Sequence, residues 1–401
     1  MYNAIICRYH EIAIKGNNRS MFEKRMVENI HRLLRSIANL KISRVRGRIW
    51  IEHKDGNAFD PAELETAEKQ LTKAFGLESF SPVIMCKPDM VLIKQAVDDS
   101  CRTYFEQAFA RQAEVSFRIR ATRSNKLFPL DSKQIEIALA EVAAGKYDHS
   151  KLNVDLKSAD VSIYCEVRHE FAFVYYETFR GPGGLPVGSN SPVLALLSGG
   201  IVSPVACYLA MKRGCRVDFI TFHSAPYTPP ETFEKVKRVA TLINTFQLPG
   251  RLHICNLAPV QKLIRDKCTP RFRTVLYRRM MFRIAETVAR RTRRMALLTG
   301  EAVGQVASQT VINMATINAA TDMLVLRPLV GTDKNDAVVM SRRMGAFDIS
   351  IEQVPDSCTV FAPKSPATSA PQDRIIEEED KIPEYKELLE EIINEIEIFE
   401  G

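Results

Sequence analysis

Hydrophobic and polar positions alternate in two different ways along this chain. In the first half, strand-like runs with alternating polar positions, such as residues 171–177, are mixed irregularly with amphipathic helical patterns, such as residues 21–37. That mixture predicts an α+β arrangement whose sheet has one exposed face. In the second half, short and wholly apolar runs alternate strictly with helical segments. Such a pattern predicts a buried parallel sheet of the doubly wound α/β class.

A nine-residue stretch, residues 180–188, separates these halves and is the clearest linker, because it holds four glycines and two prolines. Before it, the pattern predicts strands over 4–7, 48–52, 114–120, 153–156, 161–167 and 171–176, and helices over 21–37, 61–74, 90–109 and 132–144. After it, the predicted strands are 193–197, 217–222, 252–256, 295–299 and 324–327. From residue 377 an acidic amphipathic pattern, interrupted by Pro383, predicts a solvated helix that closes the domain.

Composition excludes a membrane-spanning or secreted class and suggests a polyanionic partner. The 401 residues are 46% hydrophobic and 26% charged, with no apolar run near the roughly 18 residues of a spanning helix and no apolar N-terminal signal. Residues 371–401 hold 12 acidic and 3 basic side chains, so the other 370 residues carry 52 basic and 36 acidic ones. Lys and Arg in such excess favour binding to a phosphate backbone.

The cysteines predict a reduced, cytoplasmic protein. There are nine of them, and none is spaced as a CxxC pair, which excludes the common zinc-ribbon and thioredoxin-like motifs. An odd number without such spacing is typical of free thiols in the cytoplasm. Most lie within apolar strands or helices, where we expect them to be buried and inert.

The strongest chemical signal is residues 196–204, which read Leu-Leu-Ser-Gly-Gly-Ile-Val-Ser-Pro and join a predicted strand to a predicted helix. We expect Ser203 to cap this helix, Pro204 to occupy its first position and Gly214 to end it. The two glycines let the backbone approach an anion, and the helix start presents free N–H groups to it. The turn is therefore a candidate pyrophosphate cradle, and a tight turn without a ligand is the alternative. It is not a Walker A loop.

These residues resemble a known family. Residues 198–203 are similar to the SGGxDS loop of the PP-loop ATP pyrophosphatases, which adenylate a carbonyl oxygen and release pyrophosphate. Residues 209–214, 223–228, 278–281, 299–310 and 358–366 narrow the resemblance to the tRNA 4-thiouridine synthetases of the ThiI family, and it runs through nearly the whole chain. It implies a ferredoxin-like domain over 1–59, a THUMP RNA-binding domain over 60–171, a linker over 172–190, a PP-loop domain over 191–370 and an acidic C-terminal helix over 371–401, without a rhodanese extension.

The resemblance implies ATP and Mg²⁺ as cofactors and assigns the nucleotide contacts residue by residue. They are Leu196, Leu197, Ser198, Gly199, Gly200, Ser203, Thr221, Phe222, Arg278, Gly300 and Gln309. The residues themselves agree in part, since Leu197 and Phe222 end adjacent predicted strands, where open α/β sheets bind ligands. One position departs from the family, because Val202 stands where the family has Asp. A valine side chain cannot ligate Mg²⁺, which binds oxygen.

The candidate catalytic residue is Cys358. It lies in a polar, proline-containing segment, where a thiol is accessible and Lys364 could lower its pKa. The resemblance implies that Cys358 attacks an incoming persulfide and frees its sulfur to displace adenylate from an activated uridine. The alternative is a packed cysteine at the start of a strand. Ser357 stands where some relatives carry a second cysteine.

Candidate RNA-binding residues interleave with apolar ones in residues 117–129, within the segment that resembles a THUMP domain. On a strand, Phe117 and Ile119 would face the core while basic side chains face outward and contact RNA phosphates. The candidates are Arg118, Arg120, Arg123 and Lys126. An ordinary amphipathic surface strand is the alternative. A second basic run, residues 290–294, is expected to be a solvated helix face.

The predicted function is ATP-dependent transfer of persulfide sulfur to the uridine at position 8 of tRNA, giving 4-thiouridine. Its expected partners are tRNA, a cysteine desulfurase as persulfide donor and, if thiamine synthesis is also served, a thiamine sulfur-carrier protein; the sequence leaves open a homodimer and predicts no membrane. The alternative is a tRNA-binding protein whose PP-loop is inactive because of Val202. An ammonia-using ligase is disfavoured, since it leaves Cys358 and the THUMP segment without a role.

Overall fold

The computed structural model describes residues 1–45, 47–354 and 360–401, which divide into two compact units, Met1–Gly184 and Leu185–Gly401. None of the helices in these ranges is both long enough and apolar enough to cross a membrane. Each unit has its own sheet and its own hydrophobic core. The predicted combination of an α+β half and a doubly wound half is confirmed.

The first unit is built on one mixed sheet with helices against it. In the part of the chain that is described, its strands are β1 (Ala4–Arg8), β2 (Leu40–Val45), β3 (Arg48–His53), β4 (Ser79–Cys86), β5 (Val115–Arg123), β6 (Leu152–Val154), β7 (Val161–Val167), β8 (Ala172–Tyr175) and β9 (Phe179–Arg180). Its α-helices are α1 (Arg19–Leu33), α2 (Pro61–Leu71), α3 (Met90–Phe109) and α4 (Ser132–Ala144). The strand order is β2-β3-β1-β4-β8-β7-β5-β6, with β9 paired to β4.

Strand β4 joins the two halves of this sheet, and the sequence pattern did not predict it. It pairs antiparallel with β1 on one side and with β8 on the other. Ser81 and Pro82 interrupt its apolar run, and proline, which lacks an N–H, is unusual inside a sheet. Strand β2 was also missed. Strand β8 agrees with the strand predicted over 171–176, and the two-residue strand β9 lies within the range 172–190 that the resemblance gives to the linker.

The second unit has the predicted parallel sheet. Its described strands are β10 (Val193–Leu196), β11 (Val217–His223), β12 (Arg251–Asn256), β13 (Ala296–Leu298), β14 (Leu324–Leu326) and β15 (Glu397–Glu400), in the order β14-β13-β10-β11-β12-β15. Its described α-helices are α5 (Val202–Lys212), α6 (Glu231–Asn244), α7 (Ala258–Lys267), α8 (Arg273–Arg291), α9 (Val311–Asn318), α10 (Lys334–Met344), α11 (Phe347–Ser350), α12 (Gln372–Glu379) and α13 (Tyr385–Asn394). The five predicted strands β10 to β14 are confirmed and pair in parallel.

The acidic C-terminal segment is not the single solvated helix that was expected. It forms two helices and then strand β15, which pairs antiparallel with β12. Ile375, Ile382 and Ile392 are buried in the core of the second unit. The predicted amphipathic pattern is present, but its apolar stripe packs against α7 and α8, so the segment is part of the core and not a solvated helix.

Buried ion pairs anchor this segment to helix α8. The Glu379 carboxylate accepts hydrogen bonds from Arg279 Nε at 2.8 Å and from Arg283 Nη1 at 2.7 Å. Three residues beyond the C-terminal end of this helix, Arg294 pairs with the buried Asp218 of β11. The expectation that residues 290–294 are only a solvated face is therefore wrong for Arg294, because Asp218 needs a cationic partner in the core.

Candidate active site and nucleic-acid surface

A cavity of about 740 Å³ opens at the carboxyl ends of β10, β11 and β13. Strand β11 lies on one side of β10, and β13, which comes later in the chain, lies on the other side. The strand order therefore reverses at β10, next to the cavity. Open α/β sheets bind their ligands at such a point, and the volume is that of a small-molecule site. All the predicted nucleotide contacts line this cavity, namely Leu196, Leu197, Ser198, Gly199, Gly200, Ser203, Thr221, Phe222, Arg278, Gly300 and Gln309.

The turn after β10 is closed by two serines rather than by a helix cap. Helix α5 begins at Val202, and its N-cap Ile201 makes no side-chain cap hydrogen bond. The prediction that Ser203 caps the helix is wrong: its Oγ accepts a hydrogen bond from Ser198 N at 3.0 Å and donates to Ser198 O at 3.1 Å. These bonds fix the loop between the two serines, so the glycines at its tip are held beside the start of α5.

The backbone approaches so closely at the cavity that a side chain would not fit at Gly300. A Cβ atom there would lie 2.8 Å from Ser203 N and from the Val202 carbonyl carbon, distances that real Cβ contacts do not show. The loop after β13 therefore lies directly on the start of α5. Free N–H groups at a helix start bind anions, so this corner of the cavity fits the phosphates of a nucleotide.

A buried carboxylate organises the cationic wall of the cavity. Glu301 is 2% exposed, and its Oε1 accepts from Arg278 Nη2 at 2.6 Å. Its Oε2 accepts from Arg327 Nε at 2.8 Å and from Thr299 Oγ1 at 2.9 Å. Burial opposes ionisation, but the two arginine charges outweigh it, so the pKa of the Glu301 carboxyl lies below its usual value. The ion pair with Glu301 thereby holds the Arg278 guanidinium at the cavity.

The cavity offers no free carboxylate for a metal ion among the described residues. Glu301 is paired with two arginines, and Glu352 is paired with Arg238. Val202 also lines the cavity, and its side chain has no oxygen atom that could bind a metal. In the part of the chain that is described, no group of three or more His, Cys, Asp or Glu residues could hold a metal. The side chains of the described residues therefore do not form a protein-held Mg²⁺ site.

Cys358 lies outside the described residues. Residues 355–359 as a whole are outside the described part of the chain. Two described residues that flank this gap, Val354 and Ala362, line the cavity together with Gly199. Each of these two residues is four positions from Cys358 along the chain.

The described cysteines behave as the sequence pattern predicted. Seven of these eight thiols are buried, and Cys86 is half-buried. Burial raises the pKa of Cys255 to about 12 and that of Cys268 to about 11. Thiols of this kind are protonated near neutral pH and react slowly.

Glu301 and Lys235 are among the cavity residues that were not predicted. Glu301 follows Gly300 shortly after the end of β13. Its place near the carboxyl end of a predicted strand could have identified it as a cavity residue. Lys235 lies on α6, and its Cδ would be 3.0 Å from a Cβ at Gly199. Its position in an ordinary amphipathic helix gives no indication of a cavity role, because only the tertiary fold brings α6 over the loop.

Three residues of the predicted basic row lie on β5 in the first unit, and Lys126 lies in the turn that follows this strand. Phe117 and Ile119 are buried, at 3% and 5% exposure, so the predicted alternation is confirmed. The Arg118 guanidinium donates to Lys157 O at 2.9 Å, and Arg123 Nη1 donates to Phe128 O at 2.9 Å. These two arginines therefore brace neighbouring loops.

The other two candidates of the basic row are more open to solvent. Arg120 is exposed, although one of its nitrogens donates to Leu156 O at 2.6 Å, and Lys126 is exposed. They are the members of the row best placed to meet a phosphate.

Three family models match the chain. The model described as thiamine biosynthesis protein (ThiI) matches residues 188–383, the ThiI ferredoxin-like domain matches 4–81 and the THUMP domain matches 93–177. Among curated relatives, a probable tRNA sulfurtransferase of Moorella thermoacetica is 39% identical over 400 residues, covering 99% of this chain and 97% of the relative. Another, from Thermoanaerobacter pseudethanolicus, is 36% identical over 396 residues and covers 99% of both chains.

Solved structures show the same architecture. A 4-thiouridine synthetase in complex with RNA and bound ATP matches with a TM-score of 0.87 and 32% identity, covering 100% of this chain and 99% of that one. PH1313 of Pyrococcus horikoshii matches with a TM-score of 0.65 and 23% identity, covering 86% of this chain and 99% of that one. The second likeness is one of fold alone.

Proposed function

This chain belongs to the ThiI family of tRNA sulfurtransferases, and we propose that it uses ATP to transfer persulfide sulfur to the uridine at position 8 of tRNA. The product is 4-thiouridine. One observation carries the proposal: residues taken from five separate stretches of the chain, all expected to contact a nucleotide, line one cavity at the switch point of the sheet. The 4-thiouridine synthetase of the same fold holds ATP and RNA.

The first step activates the base. The uracil O4 attacks the α-phosphorus of ATP, pyrophosphate leaves, and the uridine carries an adenylate on O4. The glycine turn 198–200 and the start of α5 face the leaving pyrophosphate with N–H groups, and Arg278 supplies positive charge. Mg²⁺ enters as part of the metal–nucleotide substrate, because the described side chains do not form a site for it.

The second step delivers sulfur. The Cys358 thiolate attacks the inner sulfur of the donor's persulfide, so that a disulfide forms between Cys358 and the donor and the terminal sulfur leaves as hydrosulfide. Hydrosulfide attacks C4 of the activated uridine, and AMP leaves with the original oxygen. A thiol reductant then reduces the disulfide. The buried, protonated thiols described for the second unit are poor candidates for that reductant.

The proposed partners follow from this chemistry. A cysteine desulfurase is the persulfide donor, and tRNA binds through the exposed basic side chains of the THUMP segment, Arg120 and Lys126. Sulfur transfer to a carrier protein of thiamine synthesis uses the same hydrosulfide that the attack of Cys358 releases, and this hydrosulfide displaces AMP from an adenylated carboxylate of the carrier. A homodimer is compatible with both reactions.

A second function is favoured by one observation. Val202 removes the carboxylate that the family carries in its phosphate loop, and no described cavity carboxylate is free to replace it. A tRNA-binding protein that does not activate ATP would fit this loss. The two functions differ in pyrophosphate release, which only the enzyme shows when tRNA and ATP are mixed.

The test is to measure pyrophosphate and 4-thiouridine separately, with tRNA, ATP and a desulfurase supplied with cysteine. The wild-type protein is expected to form both products. Cys358→Ser is expected to keep pyrophosphate release and to lose thiolation, since only the sulfur step uses the thiol. The matched control is Cys86→Ser, the most exposed of the described thiols, which keeps both activities. Persistent thiolation in Cys358→Ser overturns the role of Cys358, and a wild-type protein without pyrophosphate release overturns the enzymatic function.

A further inference from the structure

Lys235 is buried in an unusual way for a lysine. Its side chain lies on helix α6 and is 7% exposed, whereas lysines are almost never fully buried unless they are paired. Its Nζ donates to Ser350 O at 2.9 Å and to Glu352 O at 2.8 Å. These two carbonyls belong to the stretch 350–354, which lines the cavity on the N-terminal side of Cys358.

The methylene groups of the same side chain lie on the phosphate loop. A Cβ atom at Gly199 would be 3.0 Å from Lys235 Cδ and 3.2 Å from Cε, so the stem covers the position where a larger residue would project. One side chain therefore touches two parts of the cavity, the pyrophosphate loop through its carbon atoms and the stretch 350–354 through its ammonium group.

A second contact from α6 reaches the same stretch but not the loop. Arg238 lies three positions further along the helix, and its Nη1 donates to Glu352 Oε1 at 2.9 Å. Both side chains of this ion pair are exposed, at 53% and 40%. Exposed ion pairs contribute little to stability. The buried contact between α6 and the stretch 350–354 is therefore the one that Lys235 makes, and Arg238 serves as a comparison.

We propose that Lys235 is a positioning residue, which holds the stretch 350–354 against the phosphate loop so that sulfur arrives where the uridine is activated. This inference rests on the proposed function. If the stretch is displaced, the adenylated uridine persists until water attacks C4 and AMP leaves, which restores uridine. Pyrophosphate is then released without thiolation, so less 4-thiouridine is formed for each pyrophosphate that is released.

The experiment measures the ratio of 4-thiouridine formed to pyrophosphate released. Lys235→Met keeps a flexible apolar stem on Gly199 and removes the donor to Ser350 and Glu352. We expect the ratio to fall by about tenfold, since small misplacements of reacting groups cost large factors in rate. Arg238→Met is the matched control, and its ratio is expected to stay within about twofold of wild type because its ion pair is exposed. Lys235→Arg restores a donor and is expected to recover part of the ratio.

Several outcomes decide the matter. A ratio in Lys235→Met equal to that of wild type overturns the inference, as does a parallel loss of both products, which would indicate general damage to the fold. tRNA affinity measured on the same variant checks that the first unit is intact. A wild-type protein that releases no pyrophosphate overturns the proposed function and this inference with it. If the wild-type protein releases pyrophosphate and forms 4-thiouridine, and Lys235→Met has the same ratio of the two products, the inference is overturned and the proposed function stands.

Discussion

At the scale of single residues, Val202 stands where the SGGxDS loop that residues 198–203 resemble has Asp. It is the first residue of α5, and it lines the cavity opposite Gly300, whose missing Cβ allows the close approach of the loop after β13. A carboxylate at this position would lie at the positive end of the helix dipole, where negative charge is favoured. It would also supply an oxygen ligand for the metal of the metal–nucleotide substrate.

We predict that Val202→Asp raises ATP-dependent thiolation. The expected increase is about ten- to a hundredfold, since one charge-organising group at a reacting centre is commonly worth that much. The measurement is the initial rate of 4-thiouridine formation at saturating tRNA. Val202→Asn has nearly the same shape without the charge and serves as the control. Equal rates in wild type and in Val202→Asp would show that the missing carboxylate is unimportant.

Residues of the site differ in how far the sequence could reveal them. The glycine turn after β10 was recognisable because two glycines directly before a helix start are typical of an anion-binding turn. Lys235 was not recognisable, because its role depends on the packing of α6 over Gly199 and on two carbonyls more than a hundred positions away. Ser203 was assigned the wrong role, because its hydroxyl bonds backwards to Ser198 instead of capping the helix.

At the scale of elements, patterns of continuous apolar residues predicted the parallel strands β10 to β14 correctly. In β10 to β13 these residues are largely buried, as expected for strands covered on both faces, whereas β14 is an edge strand whose Leu324 is exposed. Patterns were weaker where a strand mixes polar residues with proline, as in β4, or where a short strand ends an acidic segment, as in β15. In these strands the pairing partner decides the structure, and the sequence of the strand alone carries little of that information.

The anchoring of helix α12 gives a prediction at this scale. Glu379→Gln leaves Arg279 and part of Arg283 buried without a counter-charge, so we expect the free energy of unfolding of the second unit to fall by about 3 kcal/mol. Calorimetry and urea denaturation both report this loss. Glu377→Gln, two positions away, removes only the exposed pair with Arg374 and is expected to cost less than about 0.5 kcal/mol. Equal effects of the two substitutions would contradict the account.

The same carboxylate predicts a pH dependence. Burial opposes its ionisation, but the hydrogen bonds from Arg283 and Arg279 outweigh burial and hold the pKa of the Glu379 carboxyl below its usual value. A carboxyl with a depressed pKa in the folded state stabilises above its unfolded pKa, near 4.3, and loses that contribution as pH falls through the folded value. The stability difference between wild type and Glu379→Gln should therefore shrink progressively below about pH 4.

At the scale of the whole molecule, charge is divided unevenly. Residues 371–401 carry a net charge of −9, and the remaining 370 residues carry +16. Part of the acidic excess is used internally, since Glu379 and Glu384 pair with cations of α8 and α7. The rest of the chain keeps a surplus of positive charge, which favours long-range attraction of a polyanion.

This division predicts the salt dependence of tRNA binding. Arg120 and Lys126 are replaced together by Gln. The slope of log affinity against log salt concentration should then become less negative by roughly one to two, because two phosphate contacts no longer release counterions. Replacing Arg374 and Lys386 by Gln removes the same charge from the acidic segment and serves as the control, with an unchanged slope. Equal changes in both double variants would mean that only net charge matters and that β5 does not contact the tRNA.

The antiparallel strand β15 covers the outer edge of β12 with the last residues of the chain. Open sheet edges are templates for pairing with other polypeptides, so residues 397–400 shield the β12 backbone from pairing with a second chain. Deletion of these four residues would leave that edge of the sheet open to such pairing.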